Sequence, residues 1–138
     1  MSPAPRSGTD APVLTLAVQV RFADLDLLGH VNNVQFLRFM ETARVAFMHE
    51  HGGTLRRGVL VARTECDHRR EIPGSTRSVD VIVDVESVGR TSFVVRHVIL
   101  DAGVEAAVGR VVLVAVDADR RPRPITDAER LTLLGSSS

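Results

Sequence analysis

Residues 21–44 read RFADLDLLGHVNNVQFLRFMETAR, and the change of pattern around this stretch decides the fold. Before it, apolar and more polar residues alternate, and this period of two predicts a strand with one buried face. From about residue 34 to residue 50, large apolar side chains recur every three or four positions, as on the buried face of a helix. The stretch is therefore predicted to join a strand to a long amphipathic helix that needs a sheet to lie on. The strand's apolar residues are Leu14, Leu16, Val18 and Val20, and the helix's are Phe36, Phe39, Met40, Ala43, Phe47 and Met48.

Length, charge and cysteine content exclude several classes of protein. A chain of 138 residues suits one domain with a single core. Lys+Arg and Asp+Glu both number 17, so no net field attracts nucleic acid or an anionic membrane. No apolar run approaches the roughly 20 residues that cross a bilayer, and the N-terminal residues lack the apolar core of a signal peptide. With Cys66 as the single cysteine, we expect a soluble protein of the reducing cytoplasm, without an internal disulfide and without nucleic-acid or membrane partners.

The rest of the chain follows a strand pattern with short interruptions. Residues 1–12, rich in Pro, Ser, Gly and Ala, are predicted to be a mobile leader. Residues 13–134 are predicted to form one domain, and residues 135–138 a flexible tail. After the helix, four apolar segments predict an antiparallel arrangement of strands, with turns at residues 72–75 and at Gly89-Arg90. Near the end, the sequence Thr126-x-x-Glu129 has the capping-box pattern of a short terminal helix.

The last predicted strand, at about residues 105–116, is apolar on both faces. Val112 and Val114 alternate with Val111 and Leu113, so neither face is marked for solvent. One helix covers only one face of a single sheet, and the other face needs a second cover. We therefore predict a homodimer or tetramer.

The motif Asp26-Leu-Leu-Gly-His-Val-Asn-Asn33 combines a possible nucleophile or base, a helix start that can stabilise an oxyanion, and apolar residues that can line a slot. Asp26 is a carboxylate close to a helix start, where unpaired N–H groups and the helix dipole favour anions. Gly29 allows a sharp turn, and Asn32 or Asn33 caps the helix. For His30 three roles stay open, because it can orient Asp26, hold water or bind the substrate carbonyl.

These residues resemble the signature of a known family. A strand, one long buried helix and four further antiparallel strands look like the α+β hotdog fold, in which a five-stranded antiparallel sheet wraps around one central helix. The string FADLDLLGHVNNVQFLRFMETAR looks like the signature of hotdog thioesterases similar to 4-hydroxybenzoyl-CoA thioesterase. The resemblance implies that Asp26, the second acid of a D-x-D pair, is catalytic. It also implies that the backbone N–H of Asn33 polarises the thioester carbonyl.

A second, related pattern implies a role for the histidine. Plant acyl-carrier-protein thioesterases have a similar D-x-N-x-H-V-N-N string, in which an Asn and a His accompany the acid. His30 matches that histidine, whereas Leu28 stands where the Asn would be. We therefore predict Asp26, His30 and Asn33 as catalytic residues. The predicted substrate-binding residues are Leu28, Gly29, Asn32, Phe36 and Arg90.

Other candidate groups have simpler interpretations. Asp24 is predicted to be a structural acid, and Glu41 to form an ion pair with Arg44 or Arg38 on the helix surface. Cys66 is predicted to be a small apolar strand residue rather than a nucleophile. Acid and imidazole spacing matches no compact metal loop, so no metal or bound cofactor is expected, and coenzyme A enters only as part of the substrate. Besides Arg90, the arginines of the predicted turns that can meet coenzyme A phosphates are Arg69 and Arg70.

Together these inferences predict a thioesterase that hydrolyses a fatty or aryl acyl thioester of coenzyme A or of an acyl-carrier protein. Asp26 acts as nucleophile or as general base, and the sequence leaves this choice open. Two alternatives remain. One is a hotdog acyl-CoA dehydratase or hydratase, and the other is a non-catalytic acyl-CoA-binding module on the same fold.

Overall fold

The computed structural model describes residues 11–135, so most of the predicted leader and tail lies outside the described residues. The regular elements begin at Val13 and end at Leu134. Two short 3₁₀ turns, Phe22–Asp24 and Gly53–Arg57, flank the long helix. The strands are β1 (Val13–Gln19), β2 (Val59–His68), β3 (Ser78–Val88), β4 (Ser92–Asp101) and β5 (Val104–Ala115), and the helices are α1 (Asn33–His51) and α2 (Asp127–Leu134).

All five strands form one antiparallel sheet in the order β1-β3-β4-β5-β2. β3, β4 and β5 form a meander, while β1 pairs with β3 and β2 pairs with β5 at the two edges. The segment from β2 to β3 therefore crosses the whole end of the sheet. This is the α+β hotdog arrangement that the motif's resemblance implies, and the predicted fold class is confirmed.

The predicted apolar stripe of α1 is the buried face of the helix. All six of its side chains are buried against the sheet, whose inner face presents alternate strand residues such as Val81, Val83 and Val95. Because α1 lies in the concave side of a twisted sheet, apolar side chains at every third or fourth position contact strand residues at every second position. The apolar alternation predicted for β1 places one face of the strand toward α1, and β1 pairs with β3 so that Leu16 lies opposite Val81.

The two ends of the sheet have different contents. β1 ends, β3 begins and α1 begins at one end, which we call the Asp26 end. At the opposite end, which we call the far end, α1 stops at His51 before Gly52, and α2 packs against the 3₁₀ turn at residues 53–57. The predicted Thr126–Glu129 capping box starts α2, as expected. The Asp26 motif therefore lies at one end of the sheet and the terminal helix at the other.

The strand β2 is an edge of the sheet with its outer side unpaired by residues 11–135. Eight of its ten residues are exposed, including Leu60 and Val61. The face of the sheet opposite α1 carries an ion pair between Arg96 and Asp84, beside half-buried valines of β4 and β5. In addition, no helix within the described part of the chain is long and apolar enough to cross a membrane.

Candidate active site

The loop around Asp26 is a tight hairpin held by its own backbone. The N–H of Asp26 donates to the carbonyl of His30 at 2.8 Å, and Leu25 pairs with Val31 across the loop. One carboxylate oxygen of Asp26, Oδ1, accepts from the N–H groups of Leu28 at 2.9 Å and His30 at 3.1 Å. No hydrogen bond from residues 11–135 reaches the other oxygen, Oδ2, and Asp26 is exposed. The loop thus fixes the carboxylate while leaving one oxygen available.

The start of α1 leaves one donor available beside this loop. Asn32 is the N-cap, and its side-chain oxygen accepts from the N–H of Val34 at 3.1 Å. The carbonyl of Asn32 accepts from the N–H of Gln35 at 2.8 Å. The N–H of Asn33, the first residue of the helix, has no hydrogen-bond partner among the described residues. A free N–H at the positive end of a 19-residue helix is suited to hold a developing oxyanion.

A second segment, the connection between β2 and β3 at residues 69–77, supports the Asp26 loop from the side. The N–H of Val31 donates to the carbonyl of Ile72, and the N–H of Gly74 donates to the carbonyl of Gly29, both at 2.9 Å. Gly29 has a φ of +80°, a backbone conformation that would be strained for a residue with a side chain. A Cβ on Gly74 would collide with the carbonyl oxygen of Gly29. Gly74 is therefore needed for the close approach of the two segments, and Gly29 for the backbone conformation of the loop.

Asp24 is a structural acid, as predicted. It is fully buried and accepts hydrogen bonds from the backbone and guanidinium of Arg21, and from Arg38 at 2.7 Å. Burial by itself raises the pKa of Asp24, but the bonds from Arg21 and the charge of Arg38 outweigh it and leave the pKa below its ordinary value. The carbonyl of Asp24 also accepts from the N–H of Asn32. Asp24 therefore connects the loop to the N-cap and to the second turn of α1.

The structure brings several predicted site residues to this end of the sheet. Asp26, Leu28, Gly29, His30, Asn32 and Asn33 all belong to the hairpin and helix start. Leu28 is 80% exposed, next to the fully exposed Leu27. The imidazole of His30 turns toward Glu71, with 3.6 Å between Nδ1 and Oε2, and only its backbone contacts the Asp26 carboxylate. In this chain the imidazole of His30 therefore does not orient Asp26.

Two predicted substrate-binding residues lie elsewhere. Phe36 is fully buried, and its ring packs on that of His68, with 4.7 Å between centroids. Arg90 lies in the β3–β4 turn at the far end, about 30 Å along the sheet from the start of β3. The structure does not bring Arg90 together with Asp26 in one chain, because consecutive strand turns alternate between the two ends of a meander.

Other arginines, Arg69 and Arg70, do lie at the Asp26 end. They follow β2 directly, and their N–H groups donate to the carbonyl of Ala106. The guanidinium of Arg69 pairs with Glu105 at 3.3 Å, while that of Arg70 has no partner among residues 11–135. Arg69 and Arg70 are among the candidate phosphate contacts predicted from the sequence. The sequence does not show that residues 69–77, which connect β2 to β3, pass beside the Asp26 loop.

Two further sequence interpretations have clear outcomes. Burial, followed by the charge of Asp67, raises the pKa of the Cys66 thiol, which favours the predicted apolar role over a nucleophilic one. No ion pair of Glu41 occurs within the described residues: Arg38 turns instead to Asp24, and Glu41 acts on Arg44 only through its nearby charge.

Comparison with known proteins agrees with this geometry. The family model described as "Thioesterase-like superfamily" matches residues 20–131. A thioesterase from Thermus thermophilus, whose crystal structure contains coenzyme A and zinc, is 36% identical; the match covers 91% of this chain and 93% of that one, with a TM-score of 0.77. A predicted thioesterase from Bacillus stearothermophilus is 28% identical over 88% of this chain and 94% of its own, also with a TM-score of 0.77. The uncharacterised protein YsmA of Bacillus subtilis (strain 168) is 29% identical over 125 residues, 85% of this chain and 82% of that protein.

The matched region begins just after β1 and continues into α2, so it includes the Asp26 loop, α1 and the strands β2 to β5. On this match, the chain is a member of the thioesterase-like superfamily.

Proposed function

We propose that this protein hydrolyses an acyl-CoA thioester to the free acid and coenzyme A, with Asp26 as the reacting carboxylate. One observation carries the proposal. At one end of a thioesterase-like fold, a carboxylate oxygen of Asp26 and the N–H of Asn33 both lack a hydrogen-bond partner among the described residues. The coenzyme A in the Thermus thermophilus thioesterase supports the choice of carrier.

In this mechanism the thioester carbonyl oxygen accepts a hydrogen bond from the N–H of Asn33, which stabilises the negative charge that develops there. Oδ2 of Asp26 either attacks the carbonyl carbon or removes a proton from an attacking water. In the first route a mixed anhydride forms, the thiolate of coenzyme A leaves, and water then cleaves the anhydride. In the second route water adds directly and the thiolate leaves. Both routes use this chain's own residues and no cofactor, coenzyme A being part of the substrate.

We further propose that the working unit is a homodimer joined through β2. An exposed edge strand of ten residues presents a row of unpaired backbone groups to a second copy. Exposed apolar side chains around the helix start, including Phe22, Leu27 and Val34, would be covered at the same time. Light scattering at micromolar concentration is expected to give about 30 kDa, twice the 15.0 kDa chain. A well-folded monomer would contradict this assembly.

The activity is tested with a panel of fatty and aryl acyl-CoA substrates, followed by the release of free thiol. Steady thiol release that depends on enzyme concentration is expected for at least one substrate. Crotonyl-CoA is included, because hydration of its double bond without thiol release would indicate a dehydratase. Binding of acyl-CoA without either reaction would indicate a binding module, and both outcomes would contradict the proposal.

A further inference from the structure

A groove between α1 and β2 lies outside the Asp26 end and has no role in the mechanism above. Its volume is about 350 Å³, which is within the range of small-molecule sites. It opens along the unpaired edge of the sheet and is lined mainly by apolar side chains, with charged ones at its rim. The apolar residues are Val45, Met48, Val59, Val61 and Leu113, and the charged or polar ones are Glu41, Arg44, His49 and Arg56.

Arg44 is unusual among the half-buried arginines of residues 11–135. Five others of that class have their guanidinium groups held by acceptors, for example Arg38 by Asp24 and Arg110 by Glu86. No hydrogen bond or ion pair from the described residues engages the guanidinium of Arg44. A partly buried cation without an acceptor is costly, since desolvation is not offset by a partner.

The surroundings of Arg44 do not neutralise it. Burial lowers the pKa of Arg44, and the nearby charge of Glu41 offsets only part of that shift. The fully buried His97 lies close enough for the two groups to influence each other. Burial, and then the charge of Arg44, lower the pKa of His97 from 6.5 to about 3, so that imidazole is neutral and offers no counter-charge. Thus the groove has an apolar wall and one cation that lacks an acceptor.

We infer that this groove binds the distal end of the acyl group, and that Arg44 selects acyl chains carrying a second carboxylate. An apolar segment of the acyl chain would lie against Met48, Val59 and Leu113, and its terminal carboxylate would accept hydrogen bonds from the guanidinium of Arg44. This inference rests on the proposed thioesterase function and adds the substrate class. A guanidinium binds a carboxylate through two parallel hydrogen bonds, which gives both affinity and direction.

The proposed dimer brings the groove to the reacting group. A two-fold axis that joins β2 to its own copy makes the strands antiparallel and keeps both helices on one side of the continuous sheet. The Asp26 end of one subunit then lies beside the far end of the other. In a single chain, Arg44 is 11 positions after Asn33, about 16 Å along the helix. In the proposed dimer, the groove, which extends toward the far end, lies on the side of the partner's Asp26 end.

The test compares matched substrates and matched variants. Hexanoyl-CoA and decanoyl-CoA are each compared with the mono-CoA thioester of the dicarboxylic acid of the same length. The ratio of kcat/KM between the two members of a pair is measured for the wild type, for Arg44→Gln, for Arg44→Lys, and for Arg121→Gln. Arg121 is exposed in the turn after β5 and serves as the control for loss of one positive charge. Circular dichroism and light scattering establish that each variant is folded and assembled.

We expect the wild type to prefer the dicarboxylic member of at least one pair by about tenfold or more, the scale of a charge-assisted hydrogen bond. Arg44→Gln should bring this ratio close to one, Arg44→Lys should retain part of it, and Arg121→Gln should keep the wild-type value. A wild type without this preference, or a preference that survives Arg44→Gln, would overturn the inference. If Arg44→Gln does not fold, the wild-type preference and its partial loss in Arg44→Lys decide the same question.

Dissociation constants for the same pairs, measured by calorimetry in an Asp26→Asn background, separate this inference from the proposed function. If the carboxylate preference and its dependence on Arg44 appear in binding while the wild type cleaves none of the thioesters, the proposed function fails and the groove's specificity stands. If the thioesters are cleaved but binding and turnover show no carboxylate preference, the groove's specificity fails and the proposed function stands.

Discussion

Each end of the sheet holds an acidic residue close to a helix start, and the two residues differ in their burial and hydrogen bonding. At the far end, Glu129 is buried and accepts from Arg123 at 2.8 Å through both of its oxygens, from Thr54 at 2.6 Å and from the N–H of Thr126 at 3.0 Å. At the Asp26 end, Asp26 is exposed and accepts only from the backbone of its own loop. An acid with every oxygen occupied stabilises the fold, whereas an acid with one oxygen open is available for a reaction.

The hydrogen bonds from Arg123 to Glu129 help to hold the elements of the far end together. They lower the pKa of Glu129 from 4.5 to about 2, with burial opposing and Thr54 assisting. This cluster connects α2 to the 3₁₀ turn after α1 and to the chain that leaves β5. Substitution of Asp26 should therefore reduce turnover with little loss of stability, whereas substitution of Glu129 should reduce stability with little loss of turnover.

The largest expected effect is on turnover. Asp26→Asn should lower kcat by roughly a hundredfold or more, because the amide neither attacks nor accepts a proton. The fold should persist, since an amide oxygen still accepts the N–H groups of Leu28 and His30. Thiol-release kinetics measure the loss, and thermal unfolding measures the stability. Near-full turnover in Asp26→Asn, combined with its loss in a folded Asp24→Asn, would exchange the roles given to the two acids.

A second substitution separates the backbone of Asn33 from its side chain. Asn33→Pro removes the free N–H but suits the first position of a helix, so turnover should fall by about two orders of magnitude with limited structural damage. Asn33→Ala keeps that N–H. Because Asn32 is the N-cap, Asn33→Ala should keep most of the activity and lose little stability. Kinetics on folded variants decide the matter. Normal turnover in the proline variant together with loss in the alanine variant would make the side-chain amide the catalytic group.

At the far end, Glu129→Gln should reduce the free energy of unfolding by about 2 kcal/mol at neutral pH while leaving kcat nearly unchanged. The folded pKa of Glu129 is below its unfolded value, so its stabilisation is complete above about pH 4.5 and is lost as the pH falls toward 2. Urea titrations across that range should show a steeper loss of stability in the wild type than in the variant. Equal slopes would mean that Glu129 is not held as an ion.

The smallest expected effect concerns the core between the two ends. The pKa of His97 lies near 3 when folded and 6.5 when free, so the protein favours neutral imidazole. This contribution to stability is therefore complete well above pH 6.5 and falls as the pH drops, by about 1.4 kcal/mol between pH 7.5 and 5.5. His97→Phe should remove that part of the dependence, as measured by urea unfolding at pH 7.5 and 5.5. The same slope in the variant would assign the dependence to other groups.

Elements defined by local periodicity are predicted well from the sequence. The buried face of α1 follows from six apolar residues at helical spacing, and the inner faces of β1 and β3 follow from alternation. Both patterns depend only on near neighbours along the chain. The capping box at Thr126 and Glu129 is local in the same way. The hairpin turn at Gly89-Arg90 is local too, and the structure has it where the pattern predicts.

Features that depend on distant segments are not predicted from the sequence. The pattern does not show that the connection at residues 69–77 crosses the sheet end, which brings Arg70 closer to the motif than Arg90 within one chain. Spacing on a helix does not show that Arg38 reaches back to Asp24, which removes one of the two partners predicted for Glu41. An apolar residue such as Phe36 fits a core and a substrate slot equally well, and only packing distinguishes them.

The contact between Gly29 and Gly74 has a consequence for how the protein folds. Every residue of the Asp26 motif has been synthesised by position 33, but the carbonyl of Ile72 and the N–H of Gly74 that support it come some 40 residues later. β1 likewise has to wait for β3 before it has a neighbour. A chain that has emerged only as far as α1 therefore carries the whole motif without a working site. Formation of the site is a late event that coincides with closure of long-range strand pairs, the slow step in sheets of this kind.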